Sequence, residues 1–185
     1  GAIENIDLSG VTGLTIATTT LTGAATTGYI GGTDIAAVAD TITGGARADT
    51  ITLGAGADTV TGGAGADTFV VATADYTAAT AAALATAADS ITDFAKASDI
   101  IQWGANLSIV TNGTAVTGVA AINAEGKASF TADDDTLAER ITAVEAGINA
   151  GGVAATGQMA YFEFGSDTYV FISHGTDGVD AGDAL

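Results

Sequence analysis

Four aspartates, Asp40, Asp49, Asp58 and Asp67, stand nine residues apart, and a threonine follows each. Three of them sit behind runs of glycine and alanine, in GGARADTIT (44–52), LGAGADTVT (53–61) and GGAGADTFV (62–70). The unit IAAVADTIT (35–43) keeps the register without the glycines. Short carboxylates at a fixed interval among backbone carbonyls form an oxygen-only donor set. The chain has no cysteine and one histidine, His174, so soft-metal chemistry has no ligands here. A hard ion such as Ca²⁺ accepts six to eight oxygens in a tolerant geometry.

These donors need elements that repeat with the same period. Glycine permits positive φ and close backbone approach, so the first six residues of each unit predict a tight turn with inward carbonyls. The last three alternate polar, apolar, polar, which predicts a short strand with Ile42, Ile51, Val60 and Phe69 pointing inward. Turn plus short strand, repeated, is a solenoid coil. With two units per coil, turns two units apart stack at the strand spacing of about 4.8 Å. Asp40 then lies over Asp58 on one edge, and Asp49 over Asp67 on the other. Stacked carboxylates repel unless a cation lies between them. The competing readings are a metal-free solenoid whose aspartates only shape turns, and a chance resemblance of an unrelated glycine-rich loop.

The units resemble the RTX nonapeptide G-G-x-G-x-D-x-U-x, the repeat of a Ca²⁺-binding parallel β-roll. Residues 62–70 fit every fixed position, and 53–61 all but the first. Residues 44–52 depart only at Arg47, and 35–43 keep only the Asp and the apolar position. The resemblance implies one ion among the carbonyls of Gly45, Arg47, Gly62 and Ala64 and the carboxylates of Asp49 and Asp67. It implies a second among Ala36, Val38, Asp40, Leu53, Ala55 and Asp58. Gly54, Gly56 and Asp58 would serve a third on the open side. DSITDFAKASDIIQW (89–103) resembles the segment after the last repeat in this family, roughly D-x-I-x-D-F-x-x-G-x-D-x-I-D-L. Asp89, Ile91, Asp93, Phe94, Asp99 and Ile101 match, while Ala97 and Gln102 depart. There the resemblance implies that Asp93 and Asp99 help close the final Ca²⁺ sites. A capping hairpin, with Phe94, Ile101 and Trp103 sealing the solenoid end, is the other reading, and both can hold.

The remaining sequence bounds the class. Twenty-two acids face four bases, a formal net charge of −18 over 185 residues. Nucleic acid and anionic membrane surfaces are poor partners for such a chain. No apolar run reaches the length of a membrane span, and no N-terminal secretory signal is visible. Residues 1–34 predict short strands and turns, and alanine-rich 77–88 a helix or helical loop. Residues 105–132 predict strands with turns at Asn112–Gly113 and Glu125–Gly126. Residues 135–150 predict a helix with Leu137, Ile141, Val144 and Ile148 on one stripe and Asp135 as N-cap. The Asp133–Asp135 run reads as cap and dipole chemistry rather than a metal site. Residues 158–173 predict a hairpin turning at Gly165–Asp167. The tail places Asp177, Asp180 and Asp183 at intervals of three, either a solvated loop or a Ca²⁺-binding one.

The expected fold is mainly β: a right-handed parallel β-roll, then a β-rich capping subdomain with one or two helices. Residues 1–76 would form the solenoid, with the repeats at 35–70, and 77–185 the α+β C-terminal part. No catalytic role is expected: His174 sits beside glycine, and the chain has no G-x-S-x-G, H-E-x-x-H or G-x-x-x-x-G-K-[ST]. Residues 135–180 also resemble the C-terminal region of large bacterial surface and S-layer-like RTX proteins. That resemblance implies a Ca²⁺-binding structural module that passes through type I secretion machinery, folds outside the cell, and self-associates into a surface lattice. It also implies a further strand after Leu185. The alternative is the C-terminal RTX secretion and folding domain of a secreted enzyme or adhesin.

Overall fold

The computed structural model describes residues 39, 41–53, 56–71, 78–104, 107–151, 155–175, 178–179 and 183–185, and the backbone of 19–20 and 28–30. The described chain is mainly β, with two helices. It divides into two compact units: residues 1–75 with 88–104, and residues 76–87 with 105–185.

The first unit holds eight short strands: β1 (Thr19–Thr20), β2 (Gly28–Ile30), β3 (Thr41–Thr43), β4 (Asp49–Thr52), β5 (Thr59–Thr61), β6 (Thr68–Val71), β7 (Ser90–Ile91) and β8 (Ile100–Trp103). They form two all-parallel sheets, ordered β1-β3-β5-β7 and β2-β4-β6-β8, so each strand pairs with the strand after next. Within the repeats the register is the two-unit interval: Thr41 opposite Thr59, and Thr50 opposite Thr68. This follows from the period. A shift of one residue would turn Ile51, Val60 and Phe69 outward, and all three are fully buried. Leu53 and Val71 join them in the core. Threonines stack on the other face, and the Thr61 and Thr92 hydroxyls lie 2.7 Å apart.

Residues 89–103 do not form a capping hairpin. β7 joins β5 and β8 joins β6, both parallel, so this segment adds one strand to each sheet. Trp103 is buried, but Phe94 is 39% exposed with its ring 6.1 Å from that of Phe69.

The second unit contains α1 (Ala81–Ala87), β9 (Ser108–Ile109), β10 (Ala121–Ile122), β11 (Ala128–Ser129), α2 (Leu137–Gly151), β12 (Gln158–Phe164) and β13 (Asp167–Ser173). β12 and β13 pair as the expected hairpin, Phe164 opposite Asp167, with β9 parallel on the other side of β12. Helix α2 packs its buried Ile141, Val144 and Ile148 toward the strands, and α1 packs on α2 through fully buried Leu84. Gly147 makes the close approach possible: a Cβ there would lie 2.5 Å from the Ala120 carbonyl oxygen.

Two local expectations are corrected. The N-cap of α2 is Thr136, not Asp135. Its hydroxyl accepts the Glu139 N–H at 3.2 Å, and the Glu139 carboxylate accepts the Thr136 N–H at 2.9 Å, a reciprocal capping box. Asn112–Gly113 is not a turn: Asn112 pairs with Ile122, and the chain reverses at Thr117–Gly118 between Val116 and Val119. The Asn112 side chain instead donates to the Ala120 carbonyl at 2.9 Å. The turn at Glu125–Gly126 forms as expected, held by the Asn123 carboxamide oxygen.

Asp134 ties three segments of this unit together. It is 3% exposed and accepts the Gly118 N–H, the Thr131 N–H and the Thr131 hydroxyl. Burial alone would raise its carboxyl, but these bonds and the Arg140 charge hold it below the ordinary carboxylate range. A lowered folded-state value means the stabilisation is complete above the unfolded value and is lost as pH falls through the folded one. Asp134→Asn should therefore lower stability near neutral pH by about 2 kcal/mol. The gap to the wild type should shrink toward zero as both are acidified well below pH ~4. Urea unfolding of the two proteins across pH reads this directly, and a pH-independent gap would contradict it.

Candidate metal centre

The repeat turns carry the site, and stacking of turn 44–49 on turn 62–67 is its central feature. The Gly44 N–H donates to the Thr61 carbonyl at 2.8 Å, and the Ala64 N–H to the Gly45 carbonyl at 3.0 Å. A Cβ on Gly63, whose φ is +95°, would run into the Gly45 carbonyl oxygen. A Cβ on Gly65 would lie 2.6 Å from the Arg47 carbonyl oxygen, and one on Gly62 would lie 2.6 Å from Asp67 Oδ2. The space between these turns is lined by carbonyl and carboxylate oxygens and is too tight for any side chain. That explains why glycine stands at these positions.

The aspartates are bound into the same stack. Asp49 Oδ2 accepts the Gly45 N–H within its own turn at 2.6 Å. Asp67 Oδ1 accepts the Asp49 N–H of the turn before, eighteen residues away, at 2.9 Å. The expected set Gly45, Arg47, Asp49, Gly62, Ala64 and Asp67 is thus gathered along one sheet edge. One of its carbonyls, that of Gly45, is already engaged by the Ala64 N–H. A carbonyl oxygen has two lone pairs, so this leaves one for another partner.

Asp58 and Leu53 lie on the other edge, both 2% exposed. Ala36, Val38, Asp40, Gly54 and Ala55 lie outside the described residues, as do Asp177 and Asp180 of the tail. Gly56 is described, with a φ of +140°. Asp183 is buried and accepts the His174 N–H at 2.7 Å, which gives it a place in the fold of the second unit.

The segment after the repeats continues both edges. Asp99 Oδ1 accepts the Asp67 N–H at 3.1 Å, and its Oδ2 accepts the Ala95 N–H at 2.8 Å. This repeats the pattern of Asp67 on Asp49 and of Asp49 on Gly45. Asp93 accepts the Gly62 and Gly63 N–H groups, one on each oxygen, both at 2.8 Å. Asp89, which sequence reasoning did not place in the site, accepts the Asp58 N–H at 2.9 Å and so continues the opposite edge. The contacts of Asp89, Asp93 and Asp99 with the repeat turns span 30 to 32 residues rather than 18. The signal for Asp89 was present in its match to the segment that follows the repeats.

The electrostatics differ along the stack. Burial raises the Asp67 carboxyl above its ordinary range, and the nearby charges of Asp99, Asp49 and Asp93 push the same way against the Asp49 N–H bond. Asp99 is lowered, chiefly by the Ala95 and Asp67 N–H groups. Among the described residues, no three acidic or imidazole side chains converge to hold a metal by themselves. A site here draws on paired carboxylates and backbone carbonyls. Oxygen-only donors, a cradle that a Cβ would fill and a buried carboxylate among like charges fit a hard divalent cation.

Gly63→Ala tests the stack. The positive φ alone costs about 1–2 kcal/mol in an L-residue, and the Gly45 carbonyl must also move. The variant should melt several degrees below the wild type in Ca²⁺ and need more Ca²⁺ to fold. Gly104→Ala, where a Cβ meets nothing within 4 Å, should change neither by much. Equal melting of both variants would mean that the turns do not stack this way.

No curated protein and no solved structure matches the chain significantly. Residues 37–69, the stretch that carries the nine-residue period and these stacked turns, match the family model described as RTX calcium-binding nonapeptide repeat (4 copies).

Proposed function

We propose that the chain is a Ca²⁺-binding structural module whose two parallel sheets wind as a β-roll, one strand of each sheet per coil. The observation that supports this most is the stack of turn 44–49 on turn 62–67, with Asp67 bound to the Asp49 N–H and glycines at each close approach. Gly45, Arg47, Asp49, Gly62, Ala64 and Asp67 would hold one ion, and Asp93 and Asp99 would help close the last coil. When bound, Ca²⁺ would supply the positive charge that lets these carboxylates stack. The chain itself supplies preformed turns, inward carbonyls and a buried apolar column that fixes the register. A ligand that binds only the folded state stabilises it increasingly as its concentration exceeds its dissociation constant. Such a module stays open where Ca²⁺ is scarce and closes where it is abundant.

That behaviour suits a protein exported unfolded by type I secretion and folded outside the cell. Among the described residues no helix is long and apolar enough to cross a membrane. The threonine-, alanine- and glycine-rich composition and the scarcity of lysine favour a non-catalytic role in a bacterial surface layer, with self-association into a lattice. The second reading, an accessory folding domain of a secreted enzyme or adhesin, rests on the same repeats.

Circular dichroism during a Ca²⁺ titration, with Mg²⁺ as control, tests the core of this reading. The expected result is a Ca²⁺-specific gain of β signal that Asp49→Ala with Asp67→Ala shifts to at least tenfold higher Ca²⁺ or abolishes. A spectrum already folded after chelation, and unchanged by Ca²⁺, would leave a metal-free solenoid. Ca²⁺-dependent growth in light scattering separates the lattice from the accessory domain.

A further inference from the structure

The second unit is not continuous in sequence. Its two segments, 76–87 and 105–185, are separated by 88–104, which belongs to the first unit. The first segment contributes α1, whose Leu84 is fully buried and which packs on α2. The intervening segment is held in the first unit by backbone bonds and carboxylates, beside the buried Trp103 and the contact of Phe94 with Phe69. Ser90 and Thr92 donate to the Asp58 and Val60 carbonyls at 2.7 and 2.8 Å, and Ile100 to the Asp67 carbonyl at 2.8 Å. Asp89, Asp93 and Asp99 accept N–H groups from the turns at 58 and 62–67. All of these partners are backbone groups of residues 58–67, so the segment docks on the repeat turns and strands.

We propose that residues 88–104 couple the two units: stacking of this last coil organises the second unit, so Ca²⁺ taken up by the repeats also stabilises α2 and the β12–β13 hairpin. This rests on the calcium reading above. When 88–104 is unstacked, it is a loose tether between α1 and the rest of its unit. The entropy of closing that loop must then be met by α1 packing alone. When 88–104 is stacked, its two ends are held at a fixed separation, and less loop entropy remains to be met. Linkage is reciprocal, so α1 packing in turn raises the Ca²⁺ affinity of the last coil by the same factor, roughly tenfold for couplings of this kind. Leu84 thereby influences a metal site to which it contributes no donor atom.

Hydrogen exchange of the full chain, resolved by peptide across a Ca²⁺ titration, tests this. In the wild type, peptides of α2 and β12–β13 should gain protection at the same Ca²⁺ midpoint as those of β7–β8. In Leu84→Ala, the β7–β8 midpoint should rise about five- to tenfold. That midpoint is read in the first unit, so it stays measurable even where the variant unfolds the second. If β7–β8 respond to Ca²⁺ while α2 and β12–β13 do not, or if Leu84→Ala leaves the midpoint unchanged, the coupling is wrong and the calcium reading stands. If no peptide responds to Ca²⁺, both fall together.

Discussion

Asp67 is 1% exposed, accepts a backbone N–H from the turn before it, and lies among Asp49, Asp93 and Asp99. The first unit depends on making that arrangement tolerable. At the strand spacing of about 4.8 Å, two carboxylates such as Asp49 and Asp67 repel by about 3 kcal/mol at an effective dielectric near 20. A hydrogen bond from an N–H to a carboxylate returns about 1.5–3 kcal/mol. The Asp49 N–H therefore offsets roughly one neighbour and not several, and burial first, then the remaining charges, leave the Asp67 carboxyl raised. The short strands contribute little against this. Most are two to four residues long, and the buried column places about one large side chain per strand in the core. A thin core under a ladder of like charges lacks a large reserve of stability, and the cation proposed between the turns would relieve the constraint on which this unit most depends.

The same constraint explains where glycine is irreplaceable. Strand spacing brings turn 62–67 so close to turn 44–49 that side chains at 44, 63 and 65 would displace carbonyl oxygens of the facing turn. At the exposed positions 46, 47, 64 and 66 the turns carry alanine and arginine. Arg47 thus replaces a consensus glycine while its carbonyl still faces the next turn.

Much of this was legible because one nine-residue period encodes three things at once: turn, strand register and the position of the carboxylate. Ile51, Val60 and Phe69 are inward for the same reason that Asp49, Asp58 and Asp67 reach the edge. Legibility ends where the period does. Two-unit continuation from Asp58 and Asp67 falls on Tyr76 and Ala85, neither of which can supply a carboxylate. The chain instead leaves the first unit, forms α1 and returns with Asp89, Asp93 and Asp99. Nothing local to 72–88 says that the sheets resume beyond it, so 89–103 also read as a hairpin. In the second unit, local signals competed. Asn112–Gly113 has the composition of a turn, but pairing with Ile122 used that residue in a ladder. At the start of α2, Asp135 and Thr136 are both good caps, and Glu139, three residues after Thr136, decides between them.

The formal charge of −18 is therefore handled in two physically different ways. In the second unit several of the described acids are satisfied locally. Asp134 and Glu139 are lowered by hydroxyls and N–H groups, and Lys127 pairs with Glu163 at 3.2 Å. Arg140 binds the Asp134 and Glu163 carbonyls while its guanidinium lies over Phe130 and Phe164. In the first unit Asp67, Asp89, Asp93 and Asp99 cap neighbouring turns, so their satisfaction depends on the stack and brings like charges together. Asp99, in the last turn, is lowered, because the Ala95 and Asp67 N–H groups outweigh desolvation there. The calcium reading therefore places metal dependence in the repeats, and the coupling proposed above would carry it to the second unit through the covalent chain at residues 88–104.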